Sequence, residues 1–440
     1  MAFAMFNRKR QWVTEAELDA DLPVLLGEPS NQQHFPSGLR AELTAAEVVI
    51  GRFFFVHEAQ ATRDDTQLKT FEFLHTTFGE YLIARLVTLE LDELAETAER
   101  GTTRSRSAPL NDTFMHALLS FAPLTMRATI VSFIIERLQI LPKTRRELLR
   151  EVLLALFHRS LFPRHDTSYD SYEPDRIFVP ARHAAYSANL VLLTVLIAGE
   201  ITGRQLFPDS VDPVYDWRKI TLLWASQLPK EGWNNLIHTV RLDRNWDNGR
   251  RVFRLKLRNA ADQGATHCDL YWTYNEYPQP GVEFGWTTEH HEIIRKQIDF
   301  VCDTGVDSLA HALEPFWNDE LGRMVTTFHD VGQGRPASAA NALIKLWLAA
   351  NKEKNPNELA TVYDTCLRIA TSDLALFDVD TRACFRRLFL CQLAANQRRL
   401  PPGWVHDAIR KINEVDRLAT DEEPEPLRMA EEILGEPMAE

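Results

Sequence analysis

The sequence is short of cysteine, of positive charge, of long uncharged runs and of the signature motifs of catalysis, and each shortage closes off a class of function. Its five cysteines (Cys268, Cys302, Cys366, Cys384 and Cys391) are scattered and odd in number, with no Cys-x-x-Cys pair. No disulfide framework is visible, and a reducing compartment is expected. Positive charge is outweighed: 49 Lys and Arg stand against 62 Asp and Glu, for a formal net charge of -13. A broad nucleic-acid-binding face needs clustered Lys and Arg, so none is expected. The longest uncharged run, Ala184 to Gly199, contains Asn189 and falls short of the roughly 18 to 20 apolar residues that cross a bilayer. A buried helix is expected there, and no membrane association. At the N-terminus an apolar stretch, Met1 to Phe6, precedes Arg8-Lys9-Arg10, the reverse of a signal peptide's order, so the expected location is cytoplasmic.

Catalytic signatures are missing as well. There is no GxxxxGK[ST] phosphate loop, no GxSxG elbow, no HExxH helix and no GxGxxG after a strand. Asp330-Val-Gly-Gln-Gly-Arg335 holds a lone GxG, read as a plain interhelical loop. His290, His291 and Glu292 form the densest set of metal-ligand types, with His267 and Cys268 upstream. Neighbouring helical side chains diverge by about 100°, so a polar helix start is preferred to a metal-dependent hydrolase site. His165, Asp166, Asp170 and Asp175 lack EF-hand spacing and read as a solvated loop. Cys384 and Cys391 sit seven residues apart on one predicted helix and read as core packing.

What the chain does contain is mostly helical periodicity. At 440 residues it has room for about two to four domains. Thr14 and Glu17 make a capping box for the first clear helix. Helix is predicted again for 39–46, then a strand over Val48–Val56, a polar turn at Arg63–Asp65 and a strand at Phe71–Phe73. A second capping box, Thr77 with Glu80, predicts a helix whose apolar face is Phe78, Leu82, Leu86 and Leu89. Together these make a winged-helix-like unit over residues 1–100. A basic, polar linker follows, then a helical domain at 110–228. At 229–287 three alternating segments, His238–Asp243, Val252–Arg258 and Cys268–Tyr274, predict an antiparallel meander. Helices resume over 288–420, ahead of an acidic tail at 421–440. The fold class is therefore mainly α with minor β. Six tryptophans (Trp217, Trp224, Trp233, Trp246, Trp272 and Trp286) gather around the meander. Packing is the favoured reading; a ligand- or protein-binding module built on a Trp-rich sheet stays open beside it.

One stretch carries a family resemblance. Phe73-Leu-His75-Thr-Thr77-Phe78-Gly-Glu80-Tyr81-Leu-Ile-Ala84-Arg85 resembles the Phe-x-His-x-Ser/Thr-Phe-x-Glu-Phe/Tyr-x-x-Ala pattern that ends the winged-helix domain of NACHT-type STAND ATPases. The resemblance covers about the first 100 residues, and the whole chain looks like the C-terminal portion of an actinobacterial NACHT protein. It implies a non-catalytic regulatory and sensor portion, with ATP, ADP and Mg belonging to an ATPase portion upstream, either on a longer gene product or on a separate polypeptide. It further implies an unidentified sensed ligand or protein, oligomerisation on activation, and for some bacterial members a part in antiphage defence. Carried over, the family's contact to the phosphates of ADP falls on His75; simple capping of the helix is the competing reading. No catalytic residue and no metal ligand is assigned to this chain.

Overall fold

The computed structural model describes residues 1–27, 55–63, 66–103, 110–166, 168–258, 266–269, 272, 285–288, 293–302, 322–330, 332, 336–353, 355–372 and 379–417. Helices dominate, and the strands are short and few, so the chain is mainly α with minor β, as its sequence predicts. It divides into two compact units, residues 1–287 with 293–307 and residues 288–292 with 308–440. The expected divides near residues 100 and 228 fall inside the first unit. The helix expected at 39–46, the expected strand residues 48–54 and the acidic tail lie outside the described residues.

The first unit begins with α1 (Ala2–Asn7), which buries Phe3, Met5 and Phe6. The strand β1 (Trp12–Thr14) leads straight into α2 (Glu15–Leu26). There the expected capping box forms: Thr14 Oγ1 accepts from the Glu17 N–H at 3.2 Å, and the Glu17 carboxylate accepts from the Thr14 N–H at 2.9 Å. Such a cap contributes about 1 kcal/mol. β2 (Val56–Arg63) and β3 (Thr66–Phe73) form an antiparallel hairpin, with Val56 opposite Phe73 and Arg63 opposite Thr66. The hairpin closes at the expected polar residues, but its first strand begins at Val56, where the sequence reading ends it. β1 pairs with the far edge of β3, giving the order β1–β3–β2.

The long helix α3 (Thr76–Thr103) buries Ile83, Ala84, Val87, Leu91, Leu94 and Ala95. This corrects the expected face, since Phe78 and Leu89 are exposed. Both sets of residues satisfy the helical period, which predicts a helix without saying which apolar stripe its neighbours cover. Those neighbours are α5 (Ala128–Gln139) and α6 (Lys143–Ser160), which follow the short α4 (Thr113–Leu119). Arg145 of α6 fastens the contact: its Nε reaches the Asp92 carboxylate at 3.0 Å and its Nη2 the Asp92 carbonyl at 2.9 Å.

At the centre lies α7 (Val179–Ala198), buried without interruption from Ala184 to Ile197. By length and composition it could cross a membrane, yet most of it is enclosed by the rest of the chain. Asn189 is one of the polar groups in this stretch, and it makes three buried hydrogen bonds. Its Oδ1 accepts from the Leu124 N–H at 2.8 Å, and its Nδ2 donates to the carbonyls of Leu119 and Ala122 at 2.9 and 3.0 Å. The side chain therefore satisfies the backbone where α4 ends, groups that would otherwise be orphaned in an apolar surround.

After α7 come β4 (Glu200–Thr202), α8 (Gly203–Leu206), α9 (Pro213–Gln227), α10 (Lys230–Thr239), β5 (Val240–Asp247) and β6 (Arg250–Leu257). The sheet has the order β4–β6–β5, which corrects the expected meander: its third strand is Glu200–Thr202, not Cys268–Tyr274. The sequence offers only three residues for β4, too few for a period-2 signal. What holds them is local, since Ile201 is buried and Glu200 pairs with Arg254 and Lys256 at 3.0 and 3.1 Å. β7 (Thr266–Asp269) pairs instead with β8 (Gly285–Thr288), and α11 (Ile293–Val301) follows. The main core of this unit draws on residues from Phe3 to Cys302, with separate small clusters under the hairpin (Val13, Leu18, Leu22 and Phe71) and around Phe121 and Tyr172.

In the second unit, α12 (Gly322–Thr326) precedes a hairpin of β9 (Phe328–Asp330) and β10 (Pro336–Ser338). Four longer helices complete it: α13 (Ala339–Lys352), α14 (Pro356–Ala370), α15 (Val379–Asn396) and α16 (Trp404–Arg417). They close on Leu346, Tyr363, Phe385, Phe389 and Ile409. Arg386 donates twice to the Ala370 carbonyl, at 3.1 and 2.9 Å, and so caps α14. Among the described residues, this region is mostly helical, as its sequence predicts.

Replacing Asn189 by alanine removes three buried hydrogen bonds at once. The free energy of unfolding should fall by about 3 kcal/mol, read as a lower urea midpoint with an unchanged slope.

Candidate functional site

The junction of β3 and α3 is built by His75. Leu74 closes the hairpin by donating its N–H to the Phe55 carbonyl at 2.8 Å, and the next residue opens the helix. The His75 carbonyl accepts from the Phe78 N–H at 3.1 Å, its Nδ1 lies 2.7 Å from Thr77 Oγ1, and Nδ1 also receives the Thr77 N–H at 3.4 Å. His75 is therefore the N-cap, with its imidazole in the place a hydroxyl or carboxylate usually takes. This corrects the expected Thr77–Glu80 box. The helix starts at Thr76, one residue before Thr77, so Thr77 is already inside it.

With Nδ1 accepting, the neutral ring carries its proton on Nε2, which has no partner among the described residues. The ring is exposed, and it shares the surface with Leu74, Phe78 and Tyr81. Phe55 stacks on Phe78 at 4.3 Å between ring centroids, and Tyr81 meets Phe133 edge-on at 5.6 Å. Gly79 is required underneath: a Cβ there would come within 2.9 Å of the Phe73 ring, which lies on the first turn of α3. The motif thus presents a donor, the amide end of a 28-residue helix and an apolar patch on one surface. Such a surface can meet an anion at the helix start and an apolar face beside it.

The other candidates separate clearly. His290, His291 and Glu292 lie outside the described residues, as do the side chains of His267 and Cys268. Among the described residues no three His, Cys, Asp or Glu side chains group as metal ligands would. Asp166 accepts from the Ser168 N–H at 3.0 Å, and Asp175 pairs with Lys9 at 3.2 Å. The residues on either side of this GxG, β9 and β10, pair antiparallel, so the segment joins two strands instead of two helices, which corrects the loop reading. Gly332 there has φ 107°, and its N–H donates to Asp330 at 2.8 Å. Cys384 is buried but Cys391 is exposed, so only one of the pair packs in the core.

Trp217, Trp224 and Trp272 are fully buried and Trp233 nearly so. The ring N–H groups of the first three find internal acceptors: Trp217 donates to the Phe300 carbonyl at 2.6 Å, Trp224 to Ser187 at 2.8 Å and Trp272 to the Asn245 carbonyl at 3.0 Å. These rings are core, as the packing reading has it. Trp246 is half-buried, and the Trp286 side chain lies outside the described residues.

A second polar centre has no counterpart in the sequence reading. Asp112 is 1% exposed, and its carboxylate takes both Nη groups of Arg164, at 2.9 and 3.0 Å, together with Arg159 and the Tyr186 hydroxyl. Burial pushes this carboxyl up, but the bonds from Arg164 and Tyr186 and the two guanidinium charges outweigh it and hold it below the ordinary range. Burial, then Asp112, pushes the Tyr186 phenol well above its usual value. His116 lies edge-on to Tyr186 at 4.8 Å and is pushed down to about 3, first by burial and then by Arg164 and Arg182. The partners of Asp112 are 47, 52 and 74 residues away, beyond any local pattern.

Comparison with protein-family models, with curated proteins and with solved structures gives no match at a significant level.

The two titrations act in different windows. His116 is lowered on folding, so the unfolded chain binds more protons between pH 6.5 and about 3, and stability falls as pH drops through that range. Asp112, held low, loses its contribution only below its ordinary value of 3.8. Between pH 6.5 and 4.5 the His116→Gln variant should therefore lose less stability than the parent, by at most about 3 kcal/mol, in thermal unfolding followed at both pH values.

Proposed function

We propose that the chain is the regulatory and sensing portion of a NACHT-type STAND NTPase and performs no catalysis by itself. The observation that carries this reading is the exposed His75 cap, its Nε2 without a partner among the described residues, at the start of α3 and beside Leu74, Phe78 and Tyr81. The sheet order adds support. A short strand between two helices pairs with the far strand of a hairpin, the connectivity of a winged helix. In this reading the unit from α1 to the start of α3 closes over a nucleotide held by an ATPase portion that carries the phosphate loop. The His75 Nε2–H and the first amides of α3 then meet the phosphates of ADP, since a helix start favours an anion. Leu74, Phe78 and Tyr81 meet the protein surface around the nucleotide.

The residues present suit a phosphate edge. They offer donors but no carboxylate pair for Mg, which stays with the ATPase portion. Helices α4 to α16 make up the sensor arm, and a cytoplasmic location, oligomerisation on activation and a role in defence belong to the same proposal.

Two measurements test it. The 440-residue chain alone should not hydrolyse ATP, and sustained turnover by the purified chain overturns the proposal. In an assembly with its ATPase portion, His75→Ala should weaken ADP retention about tenfold, the scale of one hydrogen bond to a charged group. A purely capping His75 would instead cost about 1 kcal/mol of stability and leave ADP retention unchanged.

A further inference from the structure

We propose that the outer stripe of α3, from Phe78 through Leu82 and Leu86 to Leu89, docks an amphipathic helix of a partner protein, apolar along its seam and basic along the edge that meets Glu90 and Glu93. The surface lies mostly beyond the His75 junction and does not depend on the nucleotide reading. Helix α3 carries two apolar stripes. One, with Ile83, Val87, Leu91 and Leu94, is buried, and the helix packs against α1, α5, α6 and β3. The other is left to solvent: Leu82 and Leu86 are half-buried, and Phe78 and Leu89 are 37% and 42% exposed. Its steps of four, four and three residues are those of a helix–helix seam, where a water-facing stripe is normally polar.

The charges along this stripe state what it lacks. Elsewhere on α3 the acids are paired: Asp92 and Glu99 with Arg145, and Glu96 with Arg100. Glu90 and Glu93, one turn apart on the edge of the outer stripe, have no ion-pair partner among the described residues. Glu90 is half-buried, and burial, then the Glu93 charge, pushes its carboxyl up to about 7. No neighbouring element supplies a cation. Helix α1 has no charged side chain, Arg137 of α5 donates to Thr88, Arg145 of α6 is held by Asp92 and Glu99, and Lys69 of β3 pairs with Glu15.

Arg85 stands on the opposite edge, about 140° around the helix from Glu90, exposed and likewise without an acid partner among the described residues. An apolar seam with unlike charges on its two edges is the pattern by which one helix selects another. The occupant is therefore a helix with Lys or Arg against Glu90 and Glu93 and an acid against Arg85. A lipid surface or a nucleic acid offers anions, and the two carboxylates repel them.

The test is fluorescence anisotropy of the full chain, without nucleotide, titrated against a labelled synthetic helix of about three heptads. The probe has leucine along its seam, lysine on one edge and glutamate on the other; the control has the same seam with glutamate on both edges. Saturable binding of the probe is expected, about tenfold tighter than the control. Leu89→Ser should weaken it about fivefold, the scale of a partly exposed leucine leaving an interface. Replacing Glu90 and Glu93 together by glutamine should abolish the preference for the basic edge. The probe should bind more tightly at about pH 8 than at about pH 6, because Glu90 must give up its proton to meet lysine, and Glu90→Gln should remove that dependence. Circular dichroism melts check that the variants fold; should Leu89→Ser not fold, the glutamine pair still decides. Absence of saturable binding, equal binding of probe and control, or unchanged preference in the folded glutamine pair overturns the proposal. So does self-association of the chain, in sedimentation, that Leu89→Ser abolishes, since the occupant would then be a second copy.

Discussion

A helix enclosed on nearly every side must satisfy its own polar groups within the protein, and α7 is under that constraint. Tyr186 reaches Asp112, Ser187 receives the Trp224 ring N–H, and Asn189 serves the end of α4 and the turn that follows it. Each contact comes from a different element, so α7 fixes where α4, α9 and the Asp112 cluster stand. The apolar contacts supply most of the energy, roughly 1.5–3 kcal/mol for each large side chain buried. They are not directional, however. Orientation comes from the polar side chains, because a buried donor without its acceptor costs about as much as a buried methyl cluster contributes.

The sequence was readable where the cause is local. Thr14 and Glu17 are three residues apart, and their capping box needs nothing else. The apolar steps along α5 and α6 predict helices, and helices form. Legibility ended where a choice depends on a neighbour. Phe78 and Leu89 fit the period of α3 as well as Val87 and Leu91 do, and α5 and α6 cover the second set. β4 takes the edge of β6 because Ile201 and Glu200 find partners there, and three residues leave no pattern to read. His75 as a cap runs against the usual preference for Ser, Thr, Asp and Asn, so the nearby Thr77 drew the prediction one residue late.

The candidate sites divide in the same way. His75 was visible because its whole motif lies within about 13 residues, Phe73 to Arg85. Asp112 carries no comparable signal: its partners Arg159, Arg164 and Tyr186 converge on it from distant parts of the chain.

The hairpin end has an apolar cluster of its own, so what joins it to the helices after it is a small set of contacts. Asn7 donates to the Leu118 carbonyl at 3.0 Å and to Tyr172 at 3.2 Å, and Val24 and Leu25 pack against Phe121 and Tyr172. The hairpin-bearing end, with its own small apolar cluster, is therefore pinned to the helices after it through Asn7, Val24 and Leu25.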